Sequence, residues 1–282
     1  MYINNFINHL KTDNKSENTL IAYENDLKQM IGFINKSEAE IKLADLNKWK
    51  ESMNHYSSAT KSRKITVTKE YFKYLQENEI IKNNPCKYFH NVKVTNKEKT
   101  PLKDYEVRNM ISNARSYRDK AIIITLAATG MRISELSNVK LNEYMNREEN
   151  ILTIIGKGNK TRRVGLAKEV CEFIDKYISR ERYDNLEKSH SEYLFVSNQG
   201  NKLDRNVVGA MLKNVAQRSK IANWKEISPH YFRTTFATMQ LNNDIPLEVV
   251  QKQLGHSKIT TTLIYAKIAD ERIINSMAKL NF

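Results

Sequence analysis

The chain has 282 residues, 46 Lys and Arg against 32 Asp and Glu, a formal net charge of +14 and 40% hydrophobic side chains. That length accommodates two domains with cores of their own, and the charge points to a polyanionic partner, nucleic acid before an anionic membrane surface. Eight glycines and four prolines are few for a turn-rich β protein, and two cysteines far apart exclude a disulfide framework or a Cys-x-x-Cys metal site.

The first residues are interrupted by Asn4, Asn5, Asn8 and His9, which is no apolar leader, and the apolar run Ala121–Ala128 is too short for a membrane span. A reducing cytoplasm is the expected location.

The first helix signal covers Ser16–Asn35, where Leu20, Tyr23, Leu27, Met30, Ile31 and Ile34 recur at helical spacing and Ser16 or Asn18 can cap the start. A second helix is expected over Leu43–Tyr56, with Leu43, Leu46, Trp49 and Met53 on one face. A third covers Ala59–Glu77, with Ile65, Tyr71, Phe72 and Leu75 inward and Lys61, Arg63, Lys64 and Lys69 on other faces. Those basic residues read equally as a solvated face or as phosphate contacts. Asn84-Pro85 breaks the pattern. A polar, aperiodic stretch before Pro101 marks a linker, so the expected domains are residues 1–92 and 101–282, joined by residues 93–100. Residues 1–100 carry 17 basic against 12 acidic side chains and the remainder 29 against 20, so both parts are basic.

Beyond the linker, Leu102–Met110 starts a helix, and Tyr117–Ala128 reads as a buried helix ended by Thr129-Gly130. A short helix then carries Arg132 and Glu135. Residues Asn150–Leu166 alternate, turn at Gly156-Lys157-Gly158-Asn159-Lys160 and alternate again, a β-hairpin signal with Lys157 at the tip and Arg162 and Arg163 on the return strand. Helices are expected over Val170–Ser179 and Arg205–Ser219, with a short strand at Tyr193–Ser197 between them. Residues Ser228–Lys267 hold two helices separated by Asn243–Pro246 and carry His230, Arg233, His256 and Tyr265. An amphipathic tail, Ile268–Leu280, must bury its apolar stripe either on its own domain or on a neighbouring protomer. The fold class is mainly α: an N-terminal helical bundle and a mostly helical C-terminal domain with a small β-hairpin.

Metal-free cleavage of a phosphodiester needs a nucleophile in line with the leaving oxygen, cations on the non-bridging oxygens and an acid for the leaving group. Guanidinium groups suit the second task because their planar fork stays charged, with Arg132 and Arg233 among the candidates. A lysine on a hairpin tip suits the third and a tyrosine the first. Taken singly, each has an ordinary reading: Arg233 as an ion-pair partner, His230 as a capping histidine, His256 as a charge at a helix end, Arg132 with Glu135 as an i,i+3 pair. No acidic cluster flanks His230 or His256, and the hairpin turn lacks the phosphate-loop pattern, so neither a metal nor a nucleotide cofactor is expected.

The ordered set is more telling. Ala-Thr-Gly-Met-Arg-Ile-Ser-Glu-Leu at 128–136, the turn Lys157, His-x-x-Arg at 230–233, and Leu-Gly-His at 254–256 followed nine residues later by Tyr265 together resemble the tyrosine recombinases of the phage-integrase and Xer type. The opening Asn-Thr-Leu-x-Ala-Tyr and the closing Asn-Pro resemble, more loosely, the SAM-like helical core-binding domain of the same enzymes. The resemblance implies a DNA breaking-rejoining fold and a site-specific recombinase that works through a 3′-phosphotyrosyl intermediate and a Holliday junction. It implies Tyr265 as nucleophile, Arg132 and Arg233 as phosphate clamps, and Lys157 as general acid. His230 would be general base or phosphate partner, His256 a phosphate ligand and Glu135 a structural support. Lys61, Arg63, Lys64, Lys69, Arg162 and Arg163 would be further DNA contacts. It implies duplex recombination sites as partner, a homo-tetramer on two sites from a monomer or weak oligomer when free, an accessory protein in some systems, and a nucleoid-associated location. Integration and excision of a mobile element and chromosome-dimer resolution both remain open. Thr234 and Lys267 stand where many relatives carry histidine.

Overall fold

The computed structural model describes residues 2–13, 15–94, 100–156, 161–182, 191–255 and 265. The chain divides into two compact units, residues 1–97 and 98–282. Among the described residues the secondary structure is mostly helical, with one two-stranded sheet.

The first unit contains α1 (Ile3–Thr12), α2 (Glu17–Ile34), α3 (Leu43–Ser52) and α4 (Ser58–Glu77). Helix α1 was not anticipated. Its Ile3, Phe6 and Leu10 are buried, so the intervening asparagines form the outer face of an amphipathic helix. Ser16 caps α2 and Ser57 caps α4, each accepting a backbone N–H three residues on. Helix α3 ends earlier than its apolar pattern suggests, and a 3₁₀ turn, Met53–His55, follows it. The core gathers Phe6, Leu27, Met30, Leu46, Trp49, Ile65, Tyr71, Phe72 and Leu75.

The expectation that the α4 cations form a solvated face or contact DNA phosphates is corrected at Lys64, which is buried. Lys64, Thr68, Tyr71 and Leu75 form one buried stripe at helical spacing. The Lys64 ammonium donates to Asp26 Oδ1 at 2.7 Å and to Gln29 Oε1 at 2.6 Å, and Arg63 pairs with the other oxygen of the same carboxylate. Asp26 and Lys64 are each only 3% exposed, so they form a buried charge pair. Lys69 and Arg63 are exposed, and Lys61 donates to Asn54 Oδ1 at 3.0 Å.

The second unit begins with α5 (Asp104–Asn113), α6 (Tyr117–Thr129), α7 (Ile133–Asn138) and α8 (Leu141–Met145). The hairpin of β1 (Ile151–Ile155) and β2 (Thr161–Gly165) follows, then α9 (Lys168–Tyr177), which runs into a π-helical turn, Ile178–Arg182. Helices α10 (Arg205–Arg218), α11 (Pro229–Asn242) and α12 (Leu247–Leu254) follow, with a 3₁₀ turn, Trp224–Glu226, between the first two. Residues Ala121–Ala127 of α6 are buried on every side, because α5, α9 and α11 pack around it. The strands pair antiparallel from Ile151↔Gly165 to Ile155↔Thr161, which sets Leu152 opposite Val164 and Ile154 opposite Arg162 on the inward face.

Tyr193–Ser197 is not a regular strand. Leu194, Phe195 and Val196 are all buried, and the segment makes only isolated bridges, Lys140↔Tyr193 and Val196↔Lys202. The fully buried Arg182 guanidinium takes the carbonyls of Ser191, Tyr193 and Leu194, which are therefore not engaged in a ladder. The expected tail Ile268–Leu280, Lys157 and His256 lie outside the described residues.

Candidate active site

Gly130 closes α6 in the left-handed conformation, φ +60°. A side chain cannot replace its hydrogen: a Cβ there would lie 2.5 Å from Phe236 Cδ1 and 2.8 Å from Leu254 Cδ2. The chain then turns so that Arg132 becomes the extended residue ahead of α7. The Arg132 amide donates to Glu135 Oε2 at 2.8 Å, and its Nη1 donates to Oε1 at 2.8 Å. Backbone and side chain of Arg132 are thus held by one carboxylate. From β2, Arg162 grips that carboxylate in a fork, Nη1 to Oε1 at 2.6 Å and Nη2 to Oε2 at 2.9 Å. Burial by itself would raise the Glu135 carboxyl, but the Arg162 hydrogen bonds, the Arg132 amide and the nearby positive charges outweigh it and hold the group below its ordinary range.

Arg233 lies one helical turn after His230 on α11 and is 2% exposed. Its Nη1 donates to the Gly130 carbonyl at 2.7 Å and its Nη2 to the Leu254 carbonyl. Those carbonyls end α6 and α12, so the guanidinium sits where two helix dipoles present their negative ends. Burial first, and then the charge of Arg132, push its pKa down to about 10, which leaves it charged at neutral pH.

Tyr265 is buried with Phe236, Ala237, Leu241, Val250 and Leu254 in a cluster separate from the main core. Burial pushes its hydroxyl above the ordinary tyrosine value. The charge and hydrogen bonding of Arg233, a hydrogen bond with Thr234 and the charge of Arg132 pull it back. Arg132, Arg233 and Tyr265 therefore converge within one chain, although 133 residues separate the first from the last. His230 is exposed on the first turn of α11, with its carbonyl accepting from Thr234 Oγ1 at 3.3 Å.

Arg162, expected as a DNA contact, is instead committed to Glu135. Period-two alternation on β2 puts it on the same face as the buried Val164, and an inward-facing arginine needs an internal partner. That signal was available before the fold was known. Arg163 faces outward and lies 4.0 Å from Glu148. Among the described residues no group of three or more His, Cys, Asp or Glu is placed to hold a metal ion, and no helix is long and apolar enough to cross a membrane.

Comparison with known proteins defines the class. Residues 100–272 match the model of the phage integrase family, and residues 3–79 match that of the phage integrase N-terminal SAM-like domain. The tyrosine recombinase XerC of Leptospira interrogans is 32% identical, over 95% of this chain and 89% of its own length. The crystal structure of XerA recombinase covers 100% of this chain and 99% of its own at 26% identity and a TM-score of 0.58. A lambda integrase dimer bound to a COC′ core site matches at a TM-score of 0.76, with 15% identity over 96% of this chain and 95% of its own, and shows the shared fold. The chain belongs to the phage integrase family. Within that family it is a Xer-like tyrosine recombinase, an enzyme that cuts and rejoins DNA through a phosphotyrosine intermediate.

Proposed function

We propose that Tyr265 is the nucleophile of this recombinase, and that Arg132 and Arg233 clamp the scissile phosphate between them. The convergence of two fixed guanidinium groups on one buried phenol carries the reading. Each guanidinium is anchored by the protein before any substrate arrives, so charge stabilisation in the transition state requires little reorganisation. Burial keeps Tyr265 a neutral phenol at neutral pH, so its proton must leave during attack. His230, exposed one turn from Arg233, is the assigned acceptor or phosphate partner.

The phenol oxygen attacks phosphorus, the bond from phosphorus to the 5′-oxygen breaks, and Lys157 delivers a proton to that oxygen. The products are a 3′-phosphotyrosyl link and a free 5′-hydroxyl, and attack by a 5′-hydroxyl of the partner duplex reverses the step. His256 binds a phosphate oxygen, and Glu135 supports the site by holding Arg132. The DNA partner is a duplex recombination site. Residues 1–92 form a core-binding domain in which the half-buried Lys61 and the exposed Arg63 and Lys69 contact backbone phosphates, and residues 93–100 link it to the catalytic domain of residues 101–282. Four protomers assemble on two sites and act in the nucleoid, with or without an accessory protein. Both chromosome-dimer resolution and movement of a mobile element use this chemistry.

The test uses a nicked duplex carrying a site selected by the wild-type protein from a randomised pool. Wild type should form a covalent adduct that survives denaturation. Tyr265→Phe should bind the same duplex and form none. An adduct from the phenylalanine variant would assign the attack to another tyrosine.

A further inference from the structure

Arg162 has no part in the reading above, yet it touches both halves of the site. Its two Nη atoms take both oxygens of Glu135. Its Nε is buried without a hydrogen-bond partner among the described residues, so it has no donor turned outward from that atom. On its other side it runs along Gly255, where a Cβ would meet Arg162 Nη1 at 3.1 Å and Cδ at 3.2 Å. Gly255 has φ +63° and follows Leu254, whose carbonyl holds Arg233. One side chain on β2 therefore braces the carboxylate that orients Arg132 and packs against the turn that orients Arg233.

The charge count gives this contact a purpose. A buried Glu135 paired with Arg132 alone would cancel the charge that Arg132 must present to a phosphate. With Arg162 present, three guanidinium groups, Arg132, Arg162 and Arg233, stand against one carboxylate, a net charge of +2 in place of the +1 that Arg132 and Arg233 alone would leave. We propose that Arg162 is a positioning residue of the cleavage site and not a DNA contact: it holds and neutralises Glu135 from the hairpin strand, so that Glu135 aims Arg132 without consuming its charge. The proposal rests on the assignment of Arg132 as a phosphate clamp. It also couples β2 to both arginines, because Arg162 sits on that strand.

The experiment compares Arg162→Met and Arg162→Lys, each in the wild-type and Glu135→Gln backgrounds, on the selected duplex described above. Binding is measured against salt concentration, and single-turnover adduct formation at saturating protein. A positioning role predicts that Arg162→Met leaves affinity and salt slope unchanged but slows adduct formation by about 10²-fold, the scale of a misplaced catalytic group. It predicts partial recovery in Arg162→Lys, which restores the charge without the fork. It also predicts a much smaller effect of Arg162→Met once Glu135 is already glutamine, because residues acting through one contact are not additive. A salt slope reduced by about 0.9 with normal cleavage at saturation would make Arg162 a phosphate contact and overturn the proposal. Additive effects of the two substitutions would overturn it as well. If the methionine variant fails to fold, the lysine variant carries the same comparison. Failure of wild type to form any adduct would instead count against the cleavage reading.

Discussion

Arg233 donates from Nη1 to the carbonyl of Gly130 at 2.7 Å, and this one contact ties the buried guanidinium to the glycine that ends α6. The glycine serves two purposes at once. Its left-handed backbone aims the carbonyl, and its missing side chain leaves room for Phe236 and Leu254.

Gly130→Ala should therefore damage both stability and cleavage. The positive φ costs about 1 kcal/mol or more in a non-glycine residue, and displacing Phe236 and Leu254 adds roughly 1–3 kcal/mol of overpacking. Denaturant unfolding of the purified variant checks the first expectation, and single-turnover adduct formation checks the second. Unchanged stability would mean that the turn relaxes without strain.

Glu135 gives the site a pH dependence with a definite sign. Its carboxyl is lower in the folded protein than its ordinary value of 4.5, so the stability it contributes is complete above that pH. It is lost as pH falls through the lower folded value. Glu135→Gln should be destabilised at neutral pH, and its deficit relative to wild type should narrow below about pH 4.5. Unfolding free energies measured across that range provide the check; a constant deficit would remove the titration from the explanation.

Lys157→Ala should slow cleavage by about 10²–10⁴-fold, the usual worth of a general acid, with binding nearly intact. A substrate with sulfur at the 5′ bridging position needs little protonation of its leaving group and should restore the rate. Absence of rescue would move the acid role to Lys160 or His230.

In the first unit, Asp26→Ala would leave the buried Lys64 ammonium without its carboxylate. Stranding one member of a buried pair costs about 3–5 kcal/mol, so amide exchange across residues 1–97 should accelerate in the full-length variant. Lys69→Ala, at an exposed position, should leave exchange unchanged and lower the salt slope of DNA binding by about 0.9. The reverse pattern would exchange the roles of the two lysines.

The sequence by itself determined the mainly helical class and most of the helices, because a buried face repeats every three or four residues and Ser16, Gly130 and Pro229 carry local backbone rules. It also made the recombinase family recognisable, since Arg132, Glu135, Arg233 and Tyr265 stand in short motifs in a fixed order. Helix α1 was missed because asparagines on its outer face hide three apolar residues at helical spacing. The partners of buried charges were decided only by the tertiary structure. Lys64 and Asp26 are 38 residues apart, and Arg162 and Glu135 are 27 apart. An isolated charge carries no periodic trace of which distant carboxylate will neutralise it. Whether a cation faces a phosphate or the protein interior depends on which strand or helix face the packed core turns inward, and that is settled when the elements meet.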